Sequence, residues 1–363
     1  MFNFEGNSMN KNMLDIYSDY LIAQNGYATA TGLSQLLDGE VSHDKITRFL
    51  NGEAASSKEL WQYVKPHVRK IESAEGILIL DDSIEEKPYT DENELVSWHY
   101  SHAKNRCVKG INILSCLIRY GEIALPISYE PIVKDIIFCD IATKKLKRQS
   151  SVSKNEMFRT MIAQAVSNEV PFEYVLADNW FGAKKNMEFI HYDMKKKFII
   201  GIKANRLVAL MEGEKKGQYQ KLSALSLKDG ERRIVSLKDC SFPVALITKI
   251  FKNEDGSTGI LYLVTNDLES STDRIYDVYK KRWRIEEYHK SIKQNASLEK
   301  SPTKVKRSQR NHIFAAIIAY CKLELLKAKT FLNHFALKYK LLIQANRVAY
   351  AELKNLYTTV DRA

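Results

Sequence analysis

The sequence predicts an α/β fold with helical ends, on three observations. Residues from about 10 to 70 place apolar side chains at helical spacing. From Gly76 the period shortens to strand-like runs closed by Gly or Pro. From Ser271 the helical spacing returns and holds toward the end of the chain.

Each element follows from local chemistry. NMLDIYSDYLIAQ, TGLSQLLDG, SHDKITRFLNG and SSKELWQYVKPHVRKI are four helical stretches bounded by Gly, Ser or Asn. GILILDD, KGINILSCLIRYG and EIALPISYEPI are Val, Ile and Leu runs too short for helices, so a sheet begins there. A helix is expected from Lys154 to Asn168, then a buried strand from Tyr174 to Ala177 that ends at Asp178. A helix from Lys184 to Lys195 and the strand KFIIGIK follow. Residues 205–266 carry short strands separated by DG, KD and GS turns and form a β-rich insertion. NHIFAAIIAYCKLELLK is apolar around most of its circumference, which marks it as a core helix. The expected division is a helical N-terminal domain at 1–75, an α/β core at 76–204 and 267–327, the insertion at 205–266 and a helical C-terminal region at 328–363.

Composition narrows the function. With 363 residues and 45% hydrophobic composition, the chain can bury a sizeable core. Its 55 Lys and Arg against 44 Asp and Glu leave a net charge of +11, which favours polyanionic partners through counterion release. Five scattered cysteines (Cys107, Cys116, Cys139, Cys240 and Cys321), never arranged as CxxC, argue against a disulfide framework or structural zinc and fit a reducing compartment. No apolar run approaches the roughly 20 residues needed to span a bilayer, and the first residues lack a secretion signal, so a cytoplasmic protein without a membrane partner is expected. Within the head, Gly32 to Leu37, the turn at Asp38-Gly39 and a helix near His43 to Leu50 resemble a helix-turn-helix, with Lys45 and Arg48 one turn apart. A plain bundle whose charges face water fits the same pattern.

Three carboxylates stand at the ends of elements. ILILDDS places Asp81 and Asp82 just beyond four consecutive apolar residues, and VLADNW repeats the arrangement with Asp178. In open α/β sheets ligands gather where strands end, although Asp after a strand also serves as a turn former. In YKKRWRIEEYHKSIK, an ideal helix would bring Tyr279, Arg282, Glu286 and Lys293 within about 60° of one another. Such a stripe suits a surface that holds a phosphate backbone beside a metal ligand. Glu287 lies about 100° round from Glu286 and is expected to be solvated or paired with Lys290 or Arg284.

The spacing Y-x2-R-x3-E-x6-K resembles the signature of bacterial transposases of the insertion sequence four family, of the type that uses two aspartates and a glutamate. The DDS of Asp81 to Ser83, followed by EKPY, and the ADNWFG around Asp178 are similar to the segments carrying the family's two aspartates. The resemblance covers the chain from about Gly76 to Lys327 and is weak in the first seventy residues. It implies a ribonuclease H-like catalytic core with a β-rich insertion between the second aspartate and the glutamate. It also implies two magnesium ions, with manganese as a substitute, held by Asp82, Asp178 and Glu286. Asp82 is selected over Asp81 because the aspartate immediately before the small hydroxyl residue is the one that usually matches. Tyr279, Arg282, Trp283 and Lys293 are the implied DNA-binding residues, Arg282 by a bidentate phosphate contact and Trp283 by stacking on a displaced base, with a core aromatic as the alternative for Trp283.

The function so implied is cleavage of double-stranded DNA at terminal inverted repeats and joining of the 3′ ends to target DNA, by a homodimer in a bacterial cytoplasm or on its nucleoid. Two metal ions can serve the attacking and departing oxygens of a phosphodiester at once. The alternatives are a related metal nuclease without strand transfer and a domesticated DNA-binding protein. Other groups carry less: His99 and His102 lack a third ligand and are expected to be surface or structural histidines, and Glu85, Glu86 and Lys87 to be solvated. ATKKLKRQSS, with Lys144, Lys145, Lys147 and Arg148, is a phosphate-contacting stretch or a solvated connector, and SPTKVKRSQRNH is the stronger candidate for DNA contact.

Overall fold

The periodicity of the first seventy residues becomes four helices in the computed structural model, which describes residues 11–102, 104–213 and 215–360. They are α1 (Lys11–Ala23), α2 (Ala30–Leu36), α3 (His43–Leu50) and α4 (Ser57–Ile71). Strands β1 (Ile77–Glu86), β2 (Ser97–Ser101), β3 (Arg106–Tyr120), β4 (Ile123–Pro131), β5 (Ile136–Asp140) and β6 (Lys145–Gln149) follow, then α5 (Lys154–Ser167) and β7 (Tyr174–Ala177). Helix α6 (Lys184–Glu188) ends in a wide turn at Phe189–Asp193 before β8 (Lys197–Ile202). Six further strands are β9 (Leu207–Glu212), β10 (Lys215–Lys216), β11 (Gln220–Lys221), β12 (Arg232–Leu237), β13 (Val244–Lys252) and β14 (Thr258–Thr265). The chain closes with α7 (Thr272–Lys280), α8 (Trp283–Gln294), α9 (Lys306–Thr330) and α10 (His334–Val360). Among the described residues no helix is long and apolar enough to cross a membrane.

The chain forms two units, and neither is one continuous stretch of sequence. The first comprises residues 1–60, 85–91 and 287–363, and the second 61–84 and 92–286.

In the helical unit, α9 is the core element, with Ile313 through Cys321 almost fully buried. Its polar residues tie the first helices to it. Asn311, fully buried, accepts the Ala55 N–H at 3.0 Å and donates to the Leu50 carbonyl at 2.9 Å, so it fixes the end of α3. His312 lies 3.0 Å from the Tyr17 hydroxyl through Nδ1, while Nε2 faces the Ser297 and Leu298 carbonyls. Two carbonyls can only accept, so Nε2 carries the proton and Nδ1 accepts from Tyr17. The head also contains the expected two helices and turn: Asp38 and Gly39 have positive φ, Ser42 caps α3, and α3 buries Ile46 and Leu50 while exposing Lys45 and Arg48.

Glu85 and Lys87 depart from the expectation of solvated charges. Strand β1 continues through Glu86, which leaves Glu85 1% exposed and Lys87 8% exposed. Their charges meet at 2.6 Å, and the Lys87 ammonium donates to the Ser301 carbonyl at 3.2 Å. Burial pushes the Glu85 carboxyl up and Lys87 opposes it.

The second unit is built on one mixed sheet in the order β10-β9-β12-β13-β14-β8-β7-β1-β3-β2, with β11 on β9 and β4 on β3. Strands β1, β7 and β8 are parallel, and Tyr174–Ala177 and Phe198–Ile202 are buried throughout, as central strands covered on both faces require. This mixed α/β architecture is compatible with a ribonuclease H-like core. Strands between residues 207 and 265 extend the same sheet, because β14 pairs antiparallel with β8. The hairpin β5–β6 forms a separate two-stranded sheet.

Candidate active site

Parallel pairing sets the first half of β1 beside β7, with Ile79 opposite Leu176, so Asp178 follows the end of β7 whereas Asp81 and Asp82 lie within β1, which runs on to Glu86 rather than ending at the aspartates as expected. Asp81 follows two residues after Ile79, and Asp178 follows two residues after Leu176. The turn carrying Asp178 is held from within. Its Oδ1 accepts the Trp180 N–H at 2.9 Å, and Gly182 and Gly201 let that turn lie against β8. A Cβ on Gly182 would stand 2.9 Å from the Gly201 carbonyl, and one on Gly201 would stand 3.1 Å from the Asn179 nitrogen. These contacts explain both glycines without any need for positive φ.

Adjacent strand residues leave on opposite faces, so Asp81 and Asp82 part company. Asp81 meets the Arg282 guanidinium at 3.2 Å, and the same guanidinium reaches Glu286 at 3.4 Å. Carboxylate oxygens of Asp81 and Glu286 lie within 4.8 Å of one another. Asp82 instead accepts from Lys154 at 2.9 Å and from Asn112 at 2.7 Å. Asp81 therefore faces Arg282 and Asp82 faces Lys154, while the charge of Asp82 still acts on both Asp81 and Asp178.

The electrostatics follow from this clustering. Burial, reinforced by the charge of Asp178, pushes the Asp81 carboxyl up to about 7, while Arg282 opposes the shift. Asp178 is raised as well, chiefly by burial, with the Trp180 N–H and Arg282 working against it. For Arg282, burial disfavours the charge, but Tyr279, Asp81, Glu286 and Asp178 more than offset it. One cation thus answers three carboxylates.

The stripe expected on a single helix is interrupted. Helix α7 ends at Lys280 and α8 begins at Trp283, with Lys281 and Arg282 in a turn between them. Short bonds from the Arg282 nitrogen to the Tyr279 carbonyl at 2.8 Å and from the Ile285 nitrogen to the Arg282 carbonyl at 3.0 Å keep the path tight. Tyr279 is buried at 9% exposure, with Arg282 5.9 Å from its ring centre, whereas Trp283 is 64% exposed and is no core anchor. Arg284 pairs with Glu122 at 2.7 Å. Lys293 belongs to the helical unit, where it faces Glu299 at 3.5 Å.

Sequence reasoning missed Lys154, Asn112 and Trp180. Lys154 opens α5 behind the Ser153–Glu156 capping box, and its ammonium lies 3.9 Å from the Trp180 ring centre as well as on Asp82. The capping box in SVSKNE was the available signal for where α5 begins, but not for what its first residue meets. His99 is buried against Ser97 at 3.0 Å, and burial with Lys134 and Lys154 lowers it to about 3.

A family model described as DDE superfamily endonuclease matches residues 4–219, a span that includes Asp81, Asp82 and Asp178. A second, described as transposase DDE domain, matches residues 140–322, which include Asp178 and Glu286. A protein of Sinorhizobium fredii (strain NBRC 101917 / NGR234), y4zB, provisionally named a transposase, is 32% identical over 99 residues. That stretch is 27% of this chain and 27% of the relative, so the chain spans about a quarter of the relative's length. Two models that each cover at least half of the chain place it in a family: this chain belongs to the DDE superfamily endonucleases and carries a transposase DDE domain.

Proposed function

We propose that the protein is a transposase of the insertion sequence four kind, cutting duplex DNA at the terminal repeats of its element and joining the 3′ ends to target DNA. The observation that carries this reading is Arg282 held between Asp81 and Glu286, with Asp178 adding to the same field. Carboxylate oxygens gathered around one positive charge suit a hard divalent cation such as magnesium, with manganese as a substitute. Asp81, Asp178 and Glu286 would hold the metal, and two bound ions would ease attack on the scissile phosphate and departure of the leaving oxygen.

The remaining side chains act on the DNA. Arg282 offers a forked donor to a phosphate once the carboxylates are otherwise neutralised. Lys293 offers a point charge, and Tyr279 buttresses the Arg282 guanidinium from beneath. Trp283, already in solvent, is available to stack on an unpaired base. Asp82 is a positioning residue in this scheme: through Lys154 it ties the middle of β1 to the start of α5. Two copies, each on one element end, complete the assembly.

The test uses labelled duplex DNA bearing the element's end, a target plasmid and magnesium. Asp81→Asn, Asp178→Asn and Glu286→Gln each abolish cleavage and joining, whereas Asp82→Asn lowers them about 10–100-fold, as for groups that support metal ligands. Activity kept in Glu286→Gln overturns the site. Activity kept in Asp81→Asn and lost in Asp82→Asn returns the ligand role to Asp82. Nicking without joined products identifies a nuclease without strand transfer.

A further inference from the structure

The hairpin β5–β6 stands apart from the main sheet, and its five residue pairs run from Ile136 opposite Gln149 to Asp140 opposite Lys145. Its tip is preformed. Asp140 Oδ1 accepts both the N–H and the hydroxyl of Thr143 at 2.8 Å, and Oδ2 accepts from Lys147 at 2.5 Å. Lys144 takes the left-handed backbone at φ 52 that closes the turn. This geometry belongs to an ordered arm rather than to a solvated connector.

The arm carries surface that a folded protein ordinarily buries. Ile137 is 55% exposed, Leu146 76% and Ile141 93%. An isolated two-stranded hairpin is marginal in water, so such an arm gains from a partner that covers it. Its charge says what kind. Lys144, Lys145, Lys147 and Arg148 crowd the second strand and the turn, and the one acid among residues 136–149, Asp140, is already taken by Lys147.

The root of the arm leads to the candidate active site. Arg148 donates to the Lys134 carbonyl at 3.5 Å, and the Ser151 N–H binds Asp135 at 2.8 Å. Lys154, six residues after Arg148, bonds Asp82, and Lys134 and Lys154 together act on His99. A run of cations therefore connects the carboxylate edge to the tip of the hairpin.

We infer that β5–β6 is a DNA-gripping ribbon that enters a groove of the duplex held at the active site. Five-residue strands are about 17 Å long, and a two-stranded ribbon fits the major groove, about 12 Å wide. The exposed Lys144 and Lys145 contact phosphates, and Ile141 at the tip lies against sugars and base edges. The inference rests on the reading of the protein as a DNA-cutting enzyme and adds a contact element to it.

The test is a salt titration of full-length protein binding to a fluorescent mixed-sequence duplex. Lys144→Gln with Lys145→Gln leaves the Asp140–Lys147–Thr143 turn intact and removes two phosphate contacts. The slope of log affinity against log salt falls by about 1.8, which shrinks the affinity ratio between 50 and 200 mM salt about 12-fold. A control pair with the same charge change, Lys238→Gln with Lys252→Gln, moves the slope less, and unchanged circular dichroism confirms folding. Equal slopes for wild type and the ribbon variant overturn the inference while leaving DNA cleavage standing. Unchanged DNA binding with altered self-association in light scattering also overturns it, in favour of a second copy as the partner. A wild type that binds no duplex overturns the proposed function itself.

Discussion

Replacing Arg282 with Gln asks whether its guanidinium occupies the place of a divalent cation. The side chain is 17% exposed, Asp81 15% and Glu286 38%, so the pairs lie between the buried and solvent-exposed extremes. Breaking a buried ion pair costs about 3–5 kcal/mol, and an exposed pair is worth about 0–1 kcal/mol. Discounting for the solvent that reaches Glu286, Arg282→Gln costs about 2 kcal/mol without metal. In a unit of roughly 150–250 residues this lowers Tm by about 4–8 °C. Magnesium then has a larger effect on the variant than on the wild type, because it no longer displaces a resident cation. A tenfold gain in affinity is worth about 1.4 kcal/mol, or about 3–6 °C of additional shift at saturation. Thermal melts of both proteins in EDTA and in excess magnesium measure these quantities without any DNA. Equal Tm values in EDTA, or equal magnesium shifts in the two proteins, refute the idea that arginine and metal compete for one place.

Two further outcomes follow from the helical unit. Burial holds the His312 imidazole down at about 4 against an ordinary 6.5, so its neutral form contributes stability that is complete above pH 6.5 and is lost as the pH falls toward 4. About 2.5 kcal/mol disappears by pH 4.5, and denaturant melts of wild type and His312→Gln should converge over that window, whereas a constant difference refutes it. Lys87→Met strands the buried Glu85 carboxylate and costs about 3–5 kcal/mol, while Glu85→Gln with Lys87→Met recovers much of the loss; a single variant as stable as wild type shows the pair to be idle.

What could be read in advance from the chain divides along a physical line. The sheet was legible wherever burial is two-sided, because Ile77–Leu80, Tyr174–Ala177 and Phe198–Ile202 leave no period but a central strand, and their ends marked Asp81, Asp82 and Asp178. Which of two adjacent aspartates faces Arg282 was not legible, since a one-residue change of register exchanges the faces and only the pairing of β1 with β7 fixes it. The joint after Lys280 escaped notice for the opposite reason: KKRW contains neither Gly nor Pro, and the turn is stabilised by what Arg282 meets in space. The same limit applies to the hairpin. Its strands, IIFCD and KLKRQ, show no alternation because neither face packs on the sheet, so a pattern method built on burial reads an ordered arm as a connector. Sites assembled by tertiary electrostatics and hairpins that pack on no sheet are therefore where periodicity fails.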